Sequence, residues 1–250
     1  LSDGGDVTFA DGTDIITASA GTSNVRVGVN AGNSIASGGN YNTVVGDEAG
    51  TAISTGDNNT ALGYAALDAN QTSGNNTAVG YNSLTTTTAG FNTSVGSISA
   101  TAVSTGERNT AVGYGALQTE TAGSRATAVG FNALGTQNHS TANYNVGIGY
   151  DAGGAISTGI QNTFVGALSG DALAANGGDN VAMGYAALSA ETQTSRNTAI
   201  GRGALKEQNI GSNTNSYNTA VGALAGQAIT SGTNNTFLGG LASQNNQTGN

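Results

Sequence analysis

The chain has no cysteine, no proline and no tryptophan, and each absence removes a class of protein. Without cysteine there are neither disulfides nor thiol chemistry, and the redox compartment is left open. With only 5% aromatic residues there is no set of large side chains to anchor a conventional core. Charged residues make up 8%, and 15 acids against 6 bases give a net charge of −9, which disfavours tight nucleic-acid binding. The acids, such as Asp47, Glu48, Asp57, Asp68, Glu107 and Glu120, are scattered and read as a solvated surface. No apolar stretch approaches the roughly 20 residues that span a bilayer as a helix.

What is present is glycine, 41 residues of 250, together with Ala, Val, Thr, Asn and Ser. Any interior is therefore narrow and lined by small side chains. Disorder is the competing reading for such a composition, but here the aliphatic residues recur in register, which a disordered tract does not need. The recurring phrase is Asn-Thr-Ala-Val-Gly or a near relative. Its glycines stand at 28, 46, 63, 80, 96, 113, 130, 149, 166, 184, 201, 222 and 239, and eight of the twelve spacings are 16 or 17 residues. Such a period means one short unit stacked on itself. It moves the functional expectation from chemistry toward architecture.

Aligning the copies on their glycine tests each slot. The residue before the glycine is aliphatic in every copy, from Val27 and Val45 to Leu238, and is expected in the core. Two places earlier stands Thr in ten copies and Val in three (Val25, Val146, Val181), a preference for β-branching. Strand alternation puts this slot on the same face. The slot between admits Arg26, Ser94, Gly147, Phe164 and Phe237 among its alanines, so it is expected to face outward or toward another chain. On this reading Thr77→Val and Thr110→Val are tolerated, and Thr77→Asp strongly destabilises by burying an unpaired charge.

Before the Thr slot stands Asn in twelve of thirteen copies, Ala126 being the exception. Asn suits a tight corner and tolerates left-handed backbone, and stacked amides can bond to one another up the pile. After the glycine the copies split into two kinds. One reads aromatic-x-Ala-Leu, as in Tyr64 to Leu67; the other reads Ala-Gly then Ile-Ser-Thr-Gly, as in Ala49-Gly50 with Ile53 to Gly56. Each offers a second short strand and a glycine corner. The expectation is an all-β fold, a parallel β-solenoid of about 13 rungs with two or three strands per rung. At ~4.8 Å per rung it would be a rod roughly 60 Å long. The core is thin, so several chains packed together would strengthen it, with the repeated Tyr, Phe and Leu as contact candidates.

The phrases Asn59-Thr60-Ala61-Leu62-Gly63-Tyr64-Ala65-Ala66-Leu67 and Asn76-Thr77-Ala78-Val79-Gly80-Tyr81-Asn82-Ser83-Leu84 resemble repeats of phage tail fibres. They also resemble repeats of bacterial surface proteins that end in an endosialidase-type intramolecular chaperone, and more distantly the heads of trimeric autotransporter adhesins. The resemblance covers residues 24–243. It implies a homotrimeric β-roll or β-helix in an extracellular fibre on a virion or cell surface, serving host attachment or spacing. The implied partners are further copies of the chain and a host cell-surface receptor, with glycan as one option. Autotransporter head rungs are shorter than these, and a cleavable chaperone would lie beyond Asn250. The organisation expected is a lead-in at 1–23, the repeat domain at 24–243 and the start of a further segment at 244–250. Both ends read as cuts from something longer.

Candidate chemistry is sparse. The one histidine, His139, lies in the polar insert Gln137-Asn138-His139-Ser140, with no Gly-x-Ser-x-Gly motif to partner it, and is read as a loop residue. No catalytic, cofactor-binding or metal-ligating residue is assigned, and no cofactor is expected. Asp3, Asp6, Asp11 and Asp14 could supply oxygen ligands to Ca²⁺, but the repeated nonapeptide of calcium β-rolls is missing. Gly147-Ile148-Gly149 belongs to a rung and lacks dinucleotide-loop spacing. The sequons at Asn58, Asn75 and Asn234 arise from the repeat itself. The alternative to a fibre is an ice-binding solenoid, which wants Thr ladders, few charges and small residues. A glycan-cleaving enzyme would need paired carboxylates facing one cleft.

Overall fold

The computed structural model describes residues 20–243. Thirteen three-residue strands form one parallel sheet whose spatial order follows the chain order. They are β1 (Val25–Val27), β2 (Thr43–Val45), β3 (Thr60–Leu62), β4 (Thr77–Val79), β5 (Thr93–Val95), β6 (Thr110–Val112), β7 (Thr127–Val129), β8 (Val146–Ile148), β9 (Thr163–Val165), β10 (Val181–Met183), β11 (Thr198–Ile200), β12 (Thr219–Val221) and β13 (Thr236–Leu238). The register never slips: Thr60 pairs with Thr77 and Leu62 with Val79, and so on up the stack. The chain is a β-solenoid, as the period implies.

Two expectations about the strands are corrected. A rung holds one named strand, not two or three; the stretch after the glycine is a run of turns. Those turns still bond from rung to rung, Gly50 N–H to Ala66 O at 2.8 Å, Leu67 N–H to Ser83 O at 3.0 Å and Ser54 N–H to Gln71 O at 2.9 Å. Stacking therefore satisfies the main chain around the rung, including where no strand is assigned.

The second correction reverses the two faces of the strand. Its middle residue points inward: Val44, Ala61, Ala78, Ala111, Ala128 and Phe164 are wholly buried. The Thr slot and the aliphatic slot point outward, Leu62 being 46% exposed. Variation at the middle slot had looked like exposure, but it is complementary packing. Phe164 sits where its strand neighbour Gly147 has no side chain. A Cβ on Gly153 would lie 2.7 Å from the Phe164 ring, and one on Gly170 2.5 Å from it. Gly153 and Gly170 thus make the room that one Phe fills.

The same compensation runs through the rest of the core. Where the fourth residue after the repeat glycine is Leu (Leu67, Leu84, Leu117, Leu134, Leu188, Leu205), that side chain fills the rung. Where it is Gly (Gly32, Gly50, Gly153, Gly170, Gly226), an aliphatic three places later fills it instead: Ile35, Ile53, Ile156, Leu173 or Ile229. The two kinds of rung are two ways of delivering one large aliphatic to one narrow core. Those Leu residues are buried within their own chain and are not the contacts between chains that were expected.

Corners are tight enough to strain the backbone. Among the described residues, thirty-three non-glycine residues have positive φ. In each rung the residue before the Asn slot is one of them, even as Tyr41, Phe91, Arg108 or Tyr217. The left-handed residue is thus the one preceding the Asn. The repeat glycine has φ between +111° and +139°, closed to side chains, and a Cβ on Gly63 would lie 2.5 Å from Gly80 O. Gly63→Ala is expected to lower stability by about 2–4 kcal/mol, measured by chemical unfolding. Ala78→Asp should abolish the cooperative melt by burying a charge, whereas Thr77→Asp, on the half-buried outer face, should move the midpoint by only a few degrees. Equal losses from both would invalidate the face assignment.

Candidate interaction surface

The outward face of the sheet carries two columns in register, Thr and aliphatic, with successive residues ~4.8 Å apart. Just beyond the repeat glycine runs a third column of exposed rings. Tyr64 and Tyr81 stack with centroids 5.6 Å apart; Tyr114, Phe131 and Tyr150 stack consecutively at 5.3 Å and 11°. One ring per rung forces this spacing, and parallel offset rings gain from it. Together the columns leave a strip of large apolar side chains open to solvent along the rod, including Val27, Leu62, Tyr81, Ile148, Met183 and Ile200.

On the other flank the left-handed residues before the Asn form a column of rings and guanidinium groups. Arg108 lies 5.4 Å from the centre of Phe91, Arg125 5.6 Å from Tyr144 and Arg196 5.6 Å from Tyr217. Arg108 is paired with Glu107, and Arg196 approaches Asp179 at 3.6 Å. The Arg196 guanidinium donates to the Tyr217 hydroxyl at 2.7 Å, which raises its affinity for its proton.

Behind the sheet the Asn column is buried and does structural work. Each Oδ1 accepts the main-chain N–H of the Asn one rung on, as from Asn59 to Asn42 at 2.9 Å and from Asn109 to Asn92 at 2.9 Å. Most of these amides also donate to the carbonyl three residues before the next rung's Asn slot, as Asn92 to Gly106 at 2.9 Å, while Asn197 donates to the Thr194 hydroxyl at 3.0 Å. At Ala126 the column lacks an amide. Asn143, from the insert that lengthens this rung, takes its place by accepting Asn145 N–H at 3.2 Å.

Sequence reasoning missed two buried carboxylates. Glu120 accepts the N–H groups of Thr121, Gly123 and His139 and the amides of Gln137 (2.9 Å) and Asn143. Glu191 accepts the N–H groups of Thr192, Gln193 and Thr194 and the amide of Gln208 at 3.0 Å. Gln137 and Gln208 in turn accept the amides of Asn145 and Asn218 at 2.8 Å. These relays sit at the two longest rungs, where they tie the inserts to the stack. The signal was available: both Glu residues occupy the slot that holds Ile in the glycine-type rungs, an inward position. They stand four rungs apart, each enclosed by its own donors, and form no paired-carboxylate cleft.

His139 lies in the ordered insert, its ring nitrogen 3.2 Å from Thr141 and its main-chain N–H on Glu120. No hydroxyl nucleophile outside the insert is within hydrogen-bond reach of the ring. The aspartates at 3, 6, 11 and 14 lie outside the described residues, among which no group of three His, Cys, Asp or Glu could hold a metal. No helix of the described residues is long and apolar enough to cross a membrane. Set against models of known families, curated proteins and solved structures, the chain matches none of them.

Asn92→Ala would strand two buried main-chain groups at a cost of about 2–4 kcal/mol, read as a lowered urea midpoint. A pH effect attaches to Asp171. Its carboxyl is pushed above the ordinary 3.8 by burial and by nearby Asp151, despite main-chain hydrogen bonds that oppose the shift. One of its oxygens has no partner. A raised folded pKa means the folded state holds the proton more tightly, so stability falls as pH rises from 3.8 through the folded value. Asp171→Asn should therefore flatten the pH dependence of the melting point in that window and raise the melting point at pH 7.

Proposed function

We propose that the chain is a structural and adhesive segment of an extracellular fibre that associates with copies of itself and serves attachment to a host or surface, without catalysing a reaction. The observation that supports it is the strip of Thr, aliphatic and aromatic columns on the outward face. Thirteen rungs at ~4.8 Å, with a width of about 13 Å across three columns, give on the order of 800 Å² a side, the area of a standard interface. The strip's aliphatic and aromatic parts make an apolar surface of a size that monomers rarely leave open. A single rung also buries little, so covering the strip adds apolar burial where it is scarcest. The resemblance of the repeats to tail-fibre and surface-adhesin repeats points the same way and suggests a homotrimer on a virion or cell surface.

One observation favours a second reading, an ice-binding solenoid. The Thr column lies on the outward face, is in register, and runs beside an aliphatic column.

Light scattering after size exclusion separates the readings. The fibre reading expects an oligomer at about 100 μM, converted to monomer by Val112→Asp with Val129→Asp while the protein stays folded. A monomeric wild type with thermal hysteresis that Thr110→Lys abolishes would replace it with the ice-binding reading.

A further inference from the structure

Six basic residues serve this acidic chain, and four are engaged internally. Arg26 donates to Ala31 O at 2.7 Å; Arg108, Arg125 and Arg196 lie on aromatic rings. The remaining two, Arg202 and Lys206, make no ion pair and no side-chain hydrogen bond among the described residues. Both line the same groove, about 150 Å³ in volume, cut across three successive rungs.

The groove has a sequence origin. Its floor is Gly203, where the rungs on either side carry Ala186 and Leu224. That glycine is left-handed at φ +65°, and a Cβ there would meet Leu224 Cδ2 at 2.8 Å. One wall is Tyr185, 53% exposed and the last ring of its column, since the next rung places Arg202 in that slot. The other wall is Leu224, with Gln227 beside it.

The geometry points to a binding site for a single carboxylated sugar unit. Two unpaired cations in one concavity call for an anion, and a guanidinium grips a carboxylate with two parallel hydrogen bonds. The Tyr185 ring and Leu224 call for a ligand with an apolar face, which the C–H face of a pyranose supplies and a bare inorganic anion does not. The Gln227 amide offers both donor and acceptor to hydroxyl groups. The net charge of −9 opposes multiply charged ligands, so one carboxylate is favoured over a phosphate-rich molecule. The volume is below the ~300–1,000 Å³ of drug-sized sites, so one sugar unit is the natural occupant. This inference names a ligand class for the attachment role proposed above and rests on that part of it; self-association does not depend on it.

Calorimetric titration of the whole chain with D-glucuronate, D-glucose and inorganic phosphate tests it. Glucuronate should bind with a Kd in the low millimolar range and at least about 10-fold more tightly than glucose or phosphate. Arg202→Gln with Lys206→Gln should cost glucuronate about 10-fold and leave glucose unchanged. Tyr185→Ala should weaken glucuronate by a similar factor and leave phosphate unchanged. All three side chains are exposed, so the melting point should stay as in the wild type. Lys206→Gln alone, outside the three outward columns, should weaken glucuronate and leave the oligomeric state unchanged, which separates failure of the groove from failure of the assembly reading. Glucose binding as tightly as glucuronate, phosphate competing equally and indifferent to Tyr185, or no heat at about 50 mM glucuronate would each overturn the proposal.

Discussion

A rung of this protein has no interior of its own, and everything else depends on its hydrogen bonding, in unbroken register, to the next. Seventeen residues rich in glycine and threonine cannot close around a hydrophobic centre. Laid on a similar rung, they satisfy their main chain on two sides and bury one large aliphatic, a few alanines and one asparagine amide. The register explains the glycine column, because the backbones approach too closely there for a Cβ. It also explains why so many ordinary residues accept left-handed backbone: the corner geometry is imposed by the stack, and the burial and hydrogen bonds of each rung offset the local cost.

The same register turns single residues into columns, and columns carry the functional argument. One exposed Tyr or one half-buried Thr means nothing alone; repeated along the rod, they make a strip large enough to be an interface. Deviations from the repeat are equally informative. The inserts after Gly130 and Gly201 are held by Glu–Gln–Asn relays, and Asn143 restores the amide that Ala126 removed. At Gly203 the loss of a side chain opens a groove, and the adjoining slots carry two cations without partners.

The errors in reading the strand share one cause. Alternation identifies which residues share a face, but not which face is covered. An always-aliphatic slot and β-branched Thr read as core, and the variable slot between them as surface. In a solenoid this narrow the inward slot is limited by volume, so alanine is its default. Phe164 enters where Gly153 and Gly170 make way for it. Variation there records compensation between rungs, visible only when neighbouring copies are laid over one another in space.

The sequence by itself determined the parallel solenoid, the rung count and the position of the strand before each repeat glycine. These follow from periodicity and from the special backbone needs of Gly, which are local properties. Only the tertiary structure decided which face of the strand points inward, how Leu and Ile alternate to fill one core, and that Glu120 and Glu191 are buried. It also brought Tyr185, Arg202, Lys206 and Leu224 together. Those outcomes depend on contacts between residues a full turn apart, where packing volume and the pairing of polar groups are settled between rungs.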